Sequence, residues 1–339
     1  MKGILLTQYQ QNLSDLLKSL LPVELPIPEI TKDEEVLIKM DGSPCNPSDI
    51  AFMRGMYNIR KNLPKVAGFE GTGHVIATGS SERARMLLHK RVSCFTQADE
   101  HGTWAEYFKT SFKNCIPVND QLSPEQAACF YVNPFTAYGL FETSINSGYK
   151  ILVQNAAAGQ VGRFIRIMAK EHKIKMINIV RRPQHVEILK KEGEEYVLNM
   201  RDKNFGEDLI KTFAGLDPCI ALDAAGGEHS GHLLNTMPPG STLMLYGGLS
   251  GKAASEFDIL EMIFNRKTLK GFNLGDWIKT KTQEEKEEIS GYLQHLIITK
   301  ACETKIQRIV GLHEVQDGLY QYLTRMSDGK VIINPAINE

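Results

Sequence analysis

The sequence predicts an α/β chain in which a doubly wound parallel sheet is joined to a second, β-rich domain. Three observations predict it. Between Lys150 and Leu274 short apolar runs alternate with segments of helical period, as βαβ units do. The first of those strands leads into a small-residue turn, Ala157-x-Gly159-x-x-Gly162, where a nucleotide-binding sheet carries its phosphate turn. Outside this region the chain reads as short strands punctuated by Gly and Pro. With 339 residues, 42% of them hydrophobic, the chain can bury two cores. We place the β-rich domain at 1–125 and 302–339 and the parallel-sheet domain at 126–301.

In order, "EEVLIKM", "EGTGHVIATG" and "KRVSCF" are β-rich runs of the first domain. At Ser123 the character changes. Ser-Pro-Glu opens a helix, with Ser123 as N-cap, Pro124 at the first helical position and Gln126 three residues after the cap. "KILVQNA" is then a buried-type strand, "VGRFIRIMAKEH" a helix and "KMINIV" the second strand. "PQHVEILKKEG" is a helix opened by proline and closed by Gly193. "EYVLN", "CIALDAAG" and "STLMLYGG" continue the strands, with "FGEDLIKTFAG" and "HSGHLLNTM" as the helices between them; "TLKGFNL" adds a sixth strand. After about residue 300, "TKIQRIVGL" and "GKVIINP" are β-like around the helical "HEVQDGLYQYLTRM", so the tail returns to the first domain.

In the turn, the first fingerprint position is Ala157 instead of glycine, which a negative φ tolerates. Gly159 lets backbone approach a pyrophosphate, and Gly162 permits close helix–strand packing. A helix beginning near Val161 offers its N-terminal N–H groups to an anion, with Gln160 just before it also expected at the cofactor. NAD-binding folds place an acid roughly 20 residues beyond the glycines, on the ribose 2′-hydroxyl. Here the second strand runs into Arg181 and Arg182, which attract a 2′-phosphate instead. The expected cofactor is therefore NADPH, with Arg181 the better single residue; the alternative is that both arginines are solvated at a strand end.

Net charge is −1, which argues against a nucleic-acid or membrane-surface footprint, and no apolar run approaches a membrane span. The amino-terminal stretch lacks a signal peptide's apolar core and contains Asp15. The six cysteines, at 45, 94, 115, 129, 219 and 302, form no cluster. They read as reduced thiols of a cytoplasmic protein.

The segments "NPSDIAFMRGMY" (46–57), "VAGFEGTGHVIATG" (66–79), "GTWAEYF" (102–108), "VNPFTAY" (132–138), "VQNAAAGQVG", "INIVRRP", "LDAAGG" and "GFNLGDW" (271–277) together resemble the medium-chain dehydrogenase/reductase superfamily along nearly the full length. Within it the chain looks most like the zinc-free quinone oxidoreductases and 2-enoyl thioester reductases. The resemblance implies a GroES-like catalytic domain joined to a Rossmann domain. Aligned to the catalytic zinc ligands of alcohol dehydrogenases, Asn46 stands at the first Cys, with Cys45 one residue off, and Gly68-Phe69-Glu70 replaces Gly-His-Glu. No metal is expected, since zinc needs several convergent ligands.

Without a metal, hydride addition to a conjugated alkene or quinone is the reaction that needs least polarisation, and the charge that develops on oxygen needs a donor. The resemblance implies Tyr57 as proton donor or substrate anchor; the alternative is a loop Tyr packed on its own domain. Asn46 would bond the substrate carbonyl or the nicotinamide ribose, or is a turn Asn before proline. Asp49 is read as the cap of a helix starting at Ile50. The family pattern further implies that Asn133 and Thr136 approach the cofactor, that Tyr246, Gly247 and Gly248 line the nicotinamide pocket, and that Phe272, Leu274 and Lys330 reach the cofactor. Trp277 walls the substrate pocket or packs in the core. The expected activity is zinc-independent, NADPH-dependent reduction of an enoyl thioester, enone or quinone, by a homodimer acting on a small-molecule substrate. The alternative is a non-catalytic NADPH-binding structural or regulatory protein.

Overall fold

The computed structural model describes residues 1–337. The chain forms two compact units, Met1–Asn133 with the chain from Glu287 onward, and Pro134–Lys286. The first unit begins β1 (Lys2–Leu6), α1 (Leu13–Ser19), β2 (Pro22–Glu24), β3 (Glu35–Pro44), α2 (Pro47–Met53), β4 (Lys65–Val66), β5 (Glu70–Thr78), α3 (Glu82–Arg85), β6 (Arg91–Phe95), β7 (Tyr107–Ser111), β8 (Cys115–Pro117) and α4 (Pro124–Ala128). Next come α5 (Val132–Asn146), β9 (Ile151–Gln154), α6 (Gln160–Glu171), β10 (Lys175–Val180), α7 (Pro183–Lys191), β11 (Tyr196–Asn199), α8 (Phe205–Phe213), β12 (Ile220–Asp223), α9 (Glu228–Thr236), β13 (Thr242–Leu245), α10 (Ile259–Phe264), β14 (Thr268–Gly271) and α11 (Leu274–Lys279). The chain ends with α12 (Gln283–Ile298), β15 (Ile306–Val310), α13 (Val315–Thr324) and β16 (Lys330–Ile333).

The second unit is a six-stranded sheet in the order β11-β10-β9-β12-β13-β14, parallel at every pairing. This is the doubly wound sheet expected from the alternation. Its helices cover both faces for the reason visible in α6, where Phe164, Ile165, Met168 and Ala169 form one buried stripe. The order reverses between β9 and β12, and at such a switch point the carboxyl ends of the strands open a crevice.

In the first unit a mostly antiparallel sheet runs β15-β16-β3-β5-β6-β8, with β7 also on β3. Ser123 caps α4 by accepting the Gln126 N–H at 3.3 Å, as its Ser-Pro-Glu start predicts. That helix packs on β3 and β5, so it sits in the first unit although the sequence boundary of 126 runs through it. Two short helices escape the sequence reading of this region as strands and turns, α1 and the four-residue α3. The α1 helix is only seven residues long, too short to show a period. The Asn12 side chain accepts the Asp15 N–H at 3.1 Å, and Leu16 and Leu17 are buried, each burial worth about 1.5–3 kcal/mol. All six cysteines are buried thiols, and among the described residues no helix is long and apolar enough to cross a membrane.

Candidate active site

The parallel sheet gathers most of the expected cofactor residues at one edge, because each follows the carboxyl end of a strand. The β9 strand leads into Ala156–Gly159, β10 into Arg181 and Arg182, β13 into Tyr246–Gly248, and β14 into Phe272 and Leu274. In the turn, Ala157 is fully buried and its φ is not positive; it is Ala156 that takes the left-handed conformation, at φ 49°. Gly159 is the N-cap of α6, with φ −76° and no side chain to satisfy the first N–H groups. The positive end of the helix dipole at this terminus suits an anion. Gly162 is required by close approach, since a Cβ there would lie 2.7 Å from the Ala157 carbonyl oxygen.

The Arg181 side chain is exposed directly after β10, and Arg182 is the N-cap of α7. At β13 the Tyr246 N–H donates to Asp223 O at 3.0 Å, and a Cβ on Gly247 would meet the Ala224 carbonyl oxygen at 2.7 Å, so the ends of β12 and β13 lie close together. Asn155 ties β9 to the same place: its Oδ1 accepts the Ala224 N–H at 2.8 Å, and its Nδ2 donates to Asp223 at 2.5 Å. Phe272 and Trp277 line an open groove of about 460 Å³ with Thr143, Asn273 and Thr280. Trp277 Nε1 donates to Glu142 at 2.9 Å, so the indole is both packed and held in orientation. Leu274 begins α11, while Asn133 and Thr136 lie in the first turns of α5, both half-buried.

The first unit assembles a buried polar cluster by strand register. Since Ile333 pairs with Ser43 and Ile332 with Pro44, continuing the antiparallel register carries Lys330 to Asn46. The Lys330 ammonium donates to Asn46 Oδ1, and to Cys45 O at 3.3 Å. Asn46 Nδ2 in turn donates to Glu70 at 2.8 Å. The other Glu70 oxygen accepts the Val132 N–H at 2.7 Å. Asp49 accepts the N–H of Asn46 at 2.7 Å and of Phe69 at 2.9 Å. The helix here starts at Pro47 with Asn46 as N-cap, three residues earlier than the start at Ile50 expected from sequence. Asp49 is thus the third helical residue, reaching back to the cap. Burial raises both carboxyls, Asp49 to about 7, against the opposing pull of their N–H donors and of Lys330.

Tyr57 stands apart from this cluster. It is half-buried, with its ring 6.1 Å from that of Phe69, and its hydroxyl oxygen accepts from Gln97 Nε2 at 3.3 Å. The residue at the zinc-His position, Phe69, therefore serves as an aromatic wall, flanked by Phe52 at 5.0 Å and Phe95 at 6.5 Å. Gln97 and Glu70 went unread as site residues. Gln97 has no motif around it, and Glu70 is marked in the sequence only as the last residue of the segment that replaces Gly-His-Glu.

Two family models match the chain. One, described as an alcohol dehydrogenase GroES-like domain, covers residues 32–120, and the other, described as a zinc-binding dehydrogenase, covers 161–291. A mitochondrial enoyl-acyl-carrier-protein reductase of Mus musculus is 34% identical, over 81% of this chain and 74% of that one. The crystal structure of a candidate NADPH:quinone reductase from Mesorhizobium loti superposes with a TM-score of 0.90 at 31% identity, over 99% of this chain and 98% of that one. A 2-enoyl thioester reductase heterodimer from Candida tropicalis, 23% identical over 98% of this chain and 99% of that one, shares the fold with a TM-score of 0.79. The chain belongs to the medium-chain dehydrogenase/reductase superfamily, with a GroES-like domain and a Rossmann-type parallel sheet. It is an oxidoreductase of that type.

Proposed function

We propose that the protein is an NADPH-dependent, zinc-independent reductase of a conjugated C=C bond or quinone. The observation that carries this reading is the phosphate-type turn at the switch point of the parallel sheet, with Arg181 exposed at the next strand end. The N–H groups before α6 would hold the pyrophosphate, and the guanidinium would hold a 2′-phosphate, whose charge an acid would repel. The Tyr246–Gly248 and Phe272–Leu274 backbones, with Asn133 and Thr136, would line the nicotinamide. NADPH, when bound, supplies the hydride.

The residues at the zinc-ligand positions do not fit the metal. Phe69 offers only a ring, and the Asn46 amide is engaged at both ends, by Glu70 and by an ammonium. Among the described residues no group of three His, Cys, Asp or Glu converges as a metal site would. Charge developing on the substrate oxygen would be met by Tyr57. Its oxygen already accepts from Gln97, which leaves the hydroxyl hydrogen to donate. Asn46, deeply buried and doubly bonded, supports the loop before Tyr57 through α2.

We further propose a homodimer. The β14 strand is the edge of its sheet, and beside it in sequence Ile259, Ile263 and Phe264 of α10 are 61–75% exposed. An open strand edge and an apolar patch both ask for a cover. The six buried thiols support a reducing compartment, the cytoplasm in our reading.

The test is NADPH consumption with crotonyl-CoA, a simple enone and 9,10-phenanthrenequinone. Turnover of at least one is expected. Tight NADPH binding with turnover of none would overturn the substrate class, and absence of any NADPH binding would overturn the whole reading.

A further inference from the structure

Behind the phosphate turn lies a buried arginine that no motif announces. Arg166 sits on the inward face of α6, 6% exposed. Its Nη1 donates to the carbonyl oxygen of Ala157. Its Nη2 meets Glu192 at 2.5 Å, and its Nε meets Glu194 at 3.1 Å. Glu194 also accepts from Asn178 Nδ2 at 2.7 Å. One guanidinium is thus held through two of its nitrogens by two carboxylates and directs its third, Nη1, to a backbone oxygen inside the turn.

That oxygen decides which way the turn's next amide points. The Ala157–Ala158 peptide is trans, the only cis bond among the described residues being Leu63–Pro64. In a planar trans peptide the C=O and the following N–H point in opposite directions. Drawing the Ala157 carbonyl inward onto Arg166 therefore turns the Ala158 N–H outward, away from the protein interior and next to the N-cap of α6. A buried guanidinium hydrogen bond is strong and directional, and Ala156 already holds the unfavourable left-handed conformation just before it.

We propose that Arg166, held by Glu192 and Glu194, is a positioning residue for the cofactor: it sets the Ala157–Ala158 peptide so that the Ala158 N–H serves the dinucleotide pyrophosphate. The inference rests on the dinucleotide reading of the turn given above. It concerns the pyrophosphate alone, which separates it from Arg181 and the 2′-phosphate.

Titration calorimetry of the full chain with NADPH, ADP-ribose and 2′-AMP tests it. Arg166→Met should weaken NADPH and ADP-ribose, which carry the pyrophosphate, by roughly 10-fold, and leave 2′-AMP, which lacks it, unchanged. Arg166→Lys keeps the charge on a single donor nitrogen and should fall between; it carries the test if the Met variant does not fold. Equal weakening of all three ligands marks a general structural role and overturns the proposal, as does no weakening of any. Failure of the unmutated protein to bind NADPH strikes the dinucleotide reading itself.

Discussion

At the scale of single residues, two side chains divide the proposed work between them. If Tyr57 donates to the substrate oxygen, Tyr57→Phe removes that donor and keeps the ring against Phe69. Turnover should drop by about 100-fold with the KM for NADPH unchanged; steady-state kinetics with both substrates varied would show it. Arg181→Ala should raise the KM for NADPH by about 10-fold and leave that for NADH nearly unmoved, and equal effects would sink the assignment of the 2′-phosphate. Asp49 carries a pH signature. Its carboxyl is pushed up to about 7 by burial, above the value of about 3.9 it has unfolded. The folded state therefore binds that proton more tightly. The stabilisation is complete below the unfolded value and is lost as pH rises through the folded one. Melting temperature should decline between those two pH values, and less steeply in Asp49→Asn, which cannot titrate; identical slopes would contradict this.

At the scale of elements, the two turn glycines serve different ends. A Cβ on Gly162 would lie 2.7 Å from the Ala157 oxygen and 2.9 Å from its Cα, both backbone atoms that cannot swing aside. Gly162→Ala should cost about 1–3 kcal/mol, measured by denaturant unfolding. Gly159 has an ordinary φ of −76°, and a Cβ there meets only the Ala156 oxygen, at 3.1 Å. Gly159→Ala should cost less stability and chiefly weaken NADPH. If both variants unfolded alike, the fingerprint would be a packing motif alone. Register is the other device at this scale: Lys330 reaches Asn46 because β16 pairs with β3, although the two residues lie far apart in the chain.

For the whole molecule, the exposed edge of β14 and the apolar face of α10 carry the proposal of a homodimer. Gel filtration or light scattering should return the mass of two chains. Phe264→Glu, which charges a side chain 75% exposed, should shift that mass toward one chain without lowering the melting temperature of the monomer. A single-chain mass for the unmutated protein would contradict the proposal.

The amino-acid order by itself determined the parallel sheet, its turn and the arginines after the second strand. These depend on hydrophobic period, glycine placement and adjacency along the chain, all local quantities. It also carried the signs of the superfamily, because the strand-end segments from 46–57 to 271–277 are each contiguous. What only the tertiary structure decided are the contacts between distant segments. Arg166 is indistinguishable in sequence from a solvated helix arginine until α6 turns it toward the Ala157 carbonyl and the glutamates after α7. Asn46, Glu70 and Lys330 become one buried cluster only through two antiparallel registers, since hydrogen bonds and burial depend on proximity in space and no period along the chain encodes which strands will meet.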